Sequence, residues 1–97
     1  MLTGKQKRFL RSEAHHLKAI FQVGKEGVSA NMIEQLIDVL EKRELIKVHV
    51  LQNCLEDKET VAEQIAKGTG AHIVQIIGNQ LVFYKESEDN KQIKLPE

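Results

Sequence analysis

The 97-residue chain has one cysteine, one proline and no tryptophan, and each scarcity closes off a class of protein. With Cys54 alone there is no intramolecular disulfide framework and no multi-cysteine zinc site, a pattern that fits a reducing, cytoplasmic setting. No apolar run approaches the ~20 residues that a bilayer span needs. Met1-Leu2-Thr3-Gly4-Lys5 has neither the apolar stretch nor the cleavage site of a secretory signal. No repeat recurs and no linker interrupts the chain, so its length fits one domain with one modest core. Three phenylalanines and one tyrosine are the whole aromatic complement. Phe83-Tyr84 therefore read as core and hairpin packing rather than as a platform for stacked bases.

Catalytic patterns are also missing. His15 and His16 are neighbours and diverge on a helix, while His49 and His72 stand apart, so no His/Cys/carboxylate spacing suggests a metal. Thr3, Ser29 and Asp57 precede apolar-periodic segments and are explained as helix caps rather than as nucleophiles or bases. The expectation is a protein without cofactor, metal or small-molecule substrate, and not an enzyme.

What the sequence does have is a divided charge. The formal net charge is zero. Yet residues 1–25 hold Lys5, Lys7, Arg8, Arg11, Lys18 and Lys25 against Glu13 alone, a balance of +5, and the remaining residues carry the compensating −5. Such a separation gives one surface suited to polyanions and another that repels them.

Thr3 followed by Gln6 has the form of a capping box and predicts a helix over residues 4–17. At 100° per residue, Phe9, Leu10, Ala14 and Leu17 share one side of it. Lys7, Arg8, Arg11, His15 and, if the helix reaches it, Lys18 fall within an arc of about 100° that holds no acid. Ala19–Val23 reads as a short buried strand. Ser29 caps a helix carrying Met32, Ile33, Leu36, Ile37 and Leu40 at three- and four-residue spacing. Leu45–Leu51 alternates, with Ile46, Val48 and Val50 on one face and Lys47 and His49 on the other. Asp57 caps a third helix ended by Gly68 or Gly70. His72–Ile77 and Leu81–Lys85 form a hairpin through Gly78-Asn79. The expected fold is an α/β single two-layer domain of order α-β-α-β-α-β-β, a mixed four-stranded sheet packed by helices. It spans residues 1–86, and the aperiodic residues 87–97 form a loose tail.

The candidate binding element is Gly24-Lys25-Glu26-Gly27, between a strand and a capped helix. Glycines let a nucleic-acid backbone approach the main chain, the helix start favours an anion, and Lys25 adds a full charge at the tip. Glu26 opposes this and is expected to point away from phosphate. Glycines between a strand and a helix are also ordinary turn punctuation, and a charged helix face is ordinarily a solvated surface. The two features carry weight together, because the acid-free arc lies just before the strand that enters the loop. Lys47 and Lys85, on strands, either extend the basic surface or face water.

In combination, these segments resemble the CRM domain (chloroplast RNA splicing and ribosome maturation) family, especially its bacterial stand-alone, YhbY-like members. The markers are Leu2-Thr3-Gly4-Lys5-Gln6-Lys7, Leu10-Arg11, Ala14-His15-His16-Leu17-Lys18 and Val23-Gly24-Lys25-Glu26-Gly27-Val28-Ser29. Downstream they continue with Glu44-Leu45-Ile46-Lys47-Val48 and Gln75-Ile76-Ile77-Gly78-Asn79-Gln80-Leu81-Val82-Phe83-Tyr84-Lys85. The resemblance runs from about Leu2 to Pro96, with Ala19 where members often have proline and Lys85 where arginine is frequent. It implies a fold similar to the C-terminal domain of bacterial translation initiation factor three. It also implies binding of structured RNA through Gly24, Lys25 and Gly27, with Lys5, Lys7, Arg8 and Arg11 as backbone contacts and Lys47 as a further one. For single-domain members it implies association with large-subunit ribosomal RNA or pre-ribosomal particles. The partner expected here is RNA, with no membrane and a monomeric protein. The rival reading is a module whose basic face docks an acidic protein on the ribosome.

Overall fold

The computed structural model describes residues 2–97. Each helix begins at a side-chain cap that satisfies an amide left free at its first turn. Thr3 and Gln6 form the reciprocal capping box of α1 (Gly4–Ala14), with bonds of 3.1 and 3.0 Å. Ser29 Oγ accepts from the Met32 amide at 3.0 Å to start α2 (Ala30–Arg43). Asp57 Oδ1 accepts from the Thr60 amide at 2.7 Å to start α3 (Lys58–Thr69), which Gly70 ends at φ 79°. Hydrogen bonds from the Thr60 amide and the Thr60 side chain hold the Asp57 carboxyl below its ordinary pKa.

α1 stops three residues short of the expected end. Leu17 donates its amide to the Ala14 carbonyl at 3.0 Å and Ile20 donates to Lys47 at 3.0 Å, so residues 15–20 leave the helix and cross to the sheet. The first strand is correspondingly shorter and more exposed than predicted. β1 (Phe21–Val23) buries only Val23 completely.

The other strands are β2 (Leu45–Val50), β3 (His72–Ile77) and β4 (Gln80–Tyr84). The sheet order is β1-β2-β4-β3, with β1 parallel to β2 and β4 antiparallel to both its neighbours. The last strand in sequence is thus a central one. Gly78 takes φ 56° in the turn that folds β4 back on β3.

All four of Leu81, Val82, Phe83 and Tyr84 are buried because both faces of β4 are covered. Leu81 and Phe83 join Leu36, Leu40, Val48 and Ile65 in a core beneath α2 and α3. Val82 and Tyr84 join Leu10, Ala14, Leu45 and Val74 beneath α1. The helices therefore flank both faces, and the expected two layers are three. Successive β side chains point to opposite faces, so an uninterrupted apolar strand needs a cover on each side.

The segment after β4, expected as a loose tail, has no helix or strand but is tied down. Glu44, fully buried at φ 65°, accepts through its carboxylate from the amides of Ser87 (2.9 Å), Gln92 (2.6 Å) and Ile93 (2.8 Å). Glu41 accepts from the Ser87 hydroxyl and from the amides of Glu88 and Asp89. Ile93 and Leu95 pack against the α1 core, and the Pro96 carbonyl accepts from the Gln6 side chain at 3.1 Å. Two carboxylates thus gather the amides of a segment whose own composition would leave it in water.

Candidate nucleic-acid interface

The glycine loop leaves the C-terminal end of the edge strand β1 and is closed by the Gly27 amide donating to the Gly24 carbonyl at 3.0 Å. Gly27 sits at φ 70°, where a Cβ is unfavourable. Gly24 has a different reason to lack a side chain. A Cβ there would lie 3.3 Å from both the Asn53 side chain and Leu51, so its open side faces the protein's own β2–α3 connection.

Lys25 and Glu26 are exposed at the tip. The Glu56 carboxylate stands 3.4 Å from where a Gly27 Cβ would be, and the charged residues lining the neighbouring hollow of about 330 Å³ are Glu56, Asp57 and Glu59 against Lys58 alone. The loop therefore borders an acidic flank, and Lys25 is the cation at its tip.

On α1, Lys5, Arg8 and Arg11 are exposed and Lys7 is half-buried, and His15, the residue that caps the helix's C-terminal end, is exposed. Burial and the nearby Lys7 charge hold His72 below its ordinary pKa of 6.5. His72, at the start of β3, stacks on Tyr84 with ring centroids 6.5 Å apart. Burial, with the charges of Glu44 and Glu86, pushes the Tyr84 hydroxyl above its ordinary value. Arg11 Nε reaches the Val74 carbonyl at 3.5 Å, where β3 carries a bulge between Ile73 and Gln75. Lys18 lies beyond the helix end and leaves the arc. The Lys85 ammonium donates to the Thr69 carbonyl at 2.9 Å, a C-terminal cap for α3.

The uncovered part of the α1-side face of the sheet brings together residues that are far apart in sequence. A depression of about 590 Å³ at the C-terminal end of α1 is lined by Arg11, His15, His16, Lys47, Gln75 and Gln80, with Ile77 also in its wall. Strand pairing places Gln22 beside His49, His49 beside Gln80, and Gln80 beside Ile77. These four form one row across the sheet, roughly 15 Å from edge to edge at ~4.8 Å per strand. The row starts two residues before Gly24 and ends at the depression, so the loop and the α1 cations adjoin one polar surface.

Arg11, His15 and Lys47 were legible in the sequence as cations or near-cations. His16, Gln75 and Gln80 were not, because neutral amides on strands have no spacing signature until the pairing is known. Among the described residues, Gln80 Oε1 is the one buried side-chain polar atom without a hydrogen-bond partner. Leaving such an acceptor unpaired costs about 1–3 kcal/mol. Among those residues there is also no group of three or more His, Cys, Asp or Glu placed to hold a metal, and no helix long and apolar enough to cross a membrane.

Fold and surface together define a small mixed α/β module with a polar, cation-flanked sheet face beside a glycine loop. The chain belongs to the CRS1 / YhbY (CRM) domain family, whose model matches residues 2–85. It is 68% identical over 96 residues to the "Probable RNA-binding protein YqeI" of Bacillus subtilis, covering 99% of this chain and 100% of that one. It is 39% identical to the "RNA-binding protein" of Haemophilus influenzae, covering 98% and 95% of the two chains. The solution structure of the hypothetical protein SAV1595 from Staphylococcus aureus superimposes with a TM-score of 0.82 at 57% identity, covering 99% of this chain and all of that one.

Proposed function

We propose that this chain is a non-enzymatic RNA-binding protein that holds folded RNA by its phosphate backbone, with ribosomal RNA of the assembling large subunit as its ligand. The observation that carries the reading is the convergence of Arg11, His15 and Lys47 on the open sheet face, beside the Gln22–His49–Gln80–Ile77 row that leads to the glycine loop. Membership in a family with members named for RNA binding supports it. Lys25 and the α1 cations Lys5, Lys7 and Arg8 extend the same cationic surface toward flanking phosphates. Contacts of this kind fix the position and orientation of the RNA without reading its sequence.

A salt titration with a hairpin RNA tests the proposal. Four or five phosphate contacts give a slope of log affinity against log salt of about −3 to −4. Absence of measurable binding at low salt refutes it and favours an acidic protein partner instead. Crosslinking in cell lysate, followed by sequencing of the attached fragments, tests the ribosomal ligand; recovery of fragments without enrichment in large-subunit RNA refutes that part.

A further inference from the structure

We infer that the open sheet face spans the minor groove of an A-form RNA stem, with Gln22 and His49 hydrogen-bonding ribose 2′-hydroxyls and so telling RNA from DNA. The inference rests on the RNA-binding reading and adds a class of ligand to it, since phosphate contact alone holds either nucleic acid.

The order of side chains along the face carries the argument. Gln22 pairs directly with His49 across β1 and β2, so the two side chains stand together on one face. Lys47, two residues before His49 on the same strand, shares that face and lines the depression with Arg11 and His15. In the other direction, Gln22 is followed by Val23, Gly24 and then Lys25 at the exposed loop tip. At ~3.3 Å per strand residue, Lys47 lies roughly 7 Å to one side of the pair and Lys25 within roughly 10 Å on the other. Crossing the face therefore meets cations, a neutral pair and a cation again. Gln22 is exposed and His49 half-buried, so both are open to a ligand. Gln80, next in the row, buries its carboxamide oxygen and takes no part.

The same alternation is met on crossing the wide, shallow minor groove of A-form RNA: phosphates of one strand, 2′-hydroxyls between, phosphates of the other. A 2′-hydroxyl both donates and accepts, and so do a carboxamide and a neutral imidazole. Each of the two side chains can thus pair with a hydroxyl whichever way it is turned. Lysines at the centre of the strip would grip RNA and DNA alike, whereas neutral groups there gain only from the hydroxyl. Along the open face, Gln22, Lys47, His49, Gln75 and Ile77 include no acid that would repel phosphate. Because every ribonucleotide carries the same hydroxyl, the contact selects RNA without selecting a sequence.

The test uses two hairpins of one sequence, RNA and its fully 2′-fluoro counterpart, which keeps the A-form stem and the phosphates but has no 2′-hydroxyl. Binding is measured at pH 8, above the ordinary imidazole range, so that removing a histidine does not remove a charge. Wild type is expected to bind the RNA about tenfold more tightly, the effect of two neutral hydrogen bonds. Gln22→Ala/His49→Ala is expected to bind the two hairpins equally, with the melting temperature nearly unchanged. Lys25→Ala, which removes charge alone, is expected to weaken both hairpins alike and keep the preference. Should the double variant melt early, Gln22→Ala decides, because that side chain is exposed: a reduced preference supports the assignment and a full one overturns it. Equal wild-type affinity for the two hairpins overturns the inference and leaves the phosphate reading standing. A preference undiminished in the double variant overturns the roles of Gln22 and His49. Failure of the wild type to bind either hairpin at low salt overturns both this inference and the functional reading beneath it.

Discussion

Replacing Glu44 with glutamine tests the clamp that holds the C-terminal segment. Glu44 presents two carboxylate oxygens to three backbone donors, Oε2 to Ser87 and Oε1 to Gln92 and Ile93. Glutamine keeps the shape but turns one oxygen into a donor. If the amide oxygen stays on Gln92 and Ile93, the new NH₂ meets the Ser87 N–H head-on, and Ser87 is buried. Two charge-assisted bonds then fall to neutral strength, a loss of about 1 kcal/mol each, and one buried donor is orphaned at a cost of about 1–3 kcal/mol. Partial release of the segment into water limits the total to about 3 kcal/mol. At about 4–8 °C per kcal/mol for a domain of this size, the melting temperature should fall by about 12–24 °C. Thermal denaturation followed by circular dichroism reads the shift, and amide hydrogen exchange at Ser87, Gln92 and Ile93 should accelerate ahead of the sheet.

The same contact makes a pH prediction. Burial pushes the Glu44 carboxyl up, but the three amide bonds and the Lys91 charge outweigh it and leave the pKa below its ordinary 4.5. The stabilisation is therefore complete above that ordinary value and is lost as pH falls through the lower folded value. Glu41 is lowered in the same direction by the amides of Glu88 and Asp89 and the Ser87 hydroxyl. Wild type should lose melting temperature on acidification below about pH 4.5, and Glu44→Gln should lose less over that interval. A variant that melts within about 4 °C of wild type, the shift worth about 1 kcal/mol at this size, with its Ser87 amide still protected, would refute the clamp.

Lys25→Ala should weaken hairpin RNA binding and reduce the salt slope by about one unit without moving the melting temperature, because its side chain is exposed at the loop tip. Unaltered affinity would remove the loop from the binding surface. Gly27→Ala places a Cβ at φ 70° and should cost about 1 kcal/mol, read by urea denaturation. A neutral result would mean that the loop relaxes out of the left-handed region. Leu10→Ala empties a fully buried position under α1 and should cost about 2–5 kcal/mol. Hydrogen exchange in that variant should show α1 opening before α2, and simultaneous opening would argue against two separate cores.

The helix starts were readable from the sequence because a cap is a bond between neighbours: Thr3, Ser29 and Asp57 each reach an amide three residues on. The β3–β4 hairpin was readable for the same reason, with Gly78-Asn79 marking its turn. The layering was not. Ile46, Val48 and Val50 announce one buried face of β2, but the cover of its other face depends on α1 crossing to that side, which no local pattern records. The clamp was equally hidden, since Glu44 and its acceptor bonds to Gln92 and Ile93 span more than forty residues of sequence. Of the candidate site, the charges on α1 and β2 were visible as charges. Their meeting around Gln75 and Gln80 follows from a strand order that places β4 between β2 and β3.

That strand order has a consequence for how the chain reaches its native state. Until residues 80–84 are available, β3 has no neighbour in the sheet, and neither hydrophobic cluster has the strand that supplies its floor. α2 and α3 can form early from local contacts, but closing the sheet requires a late, long-range insertion, the slow kind of step. A chain cut before Gln80 would keep the sequence of all three helices yet expose the apolar sides of β2 and β3, and it should aggregate rather than fold.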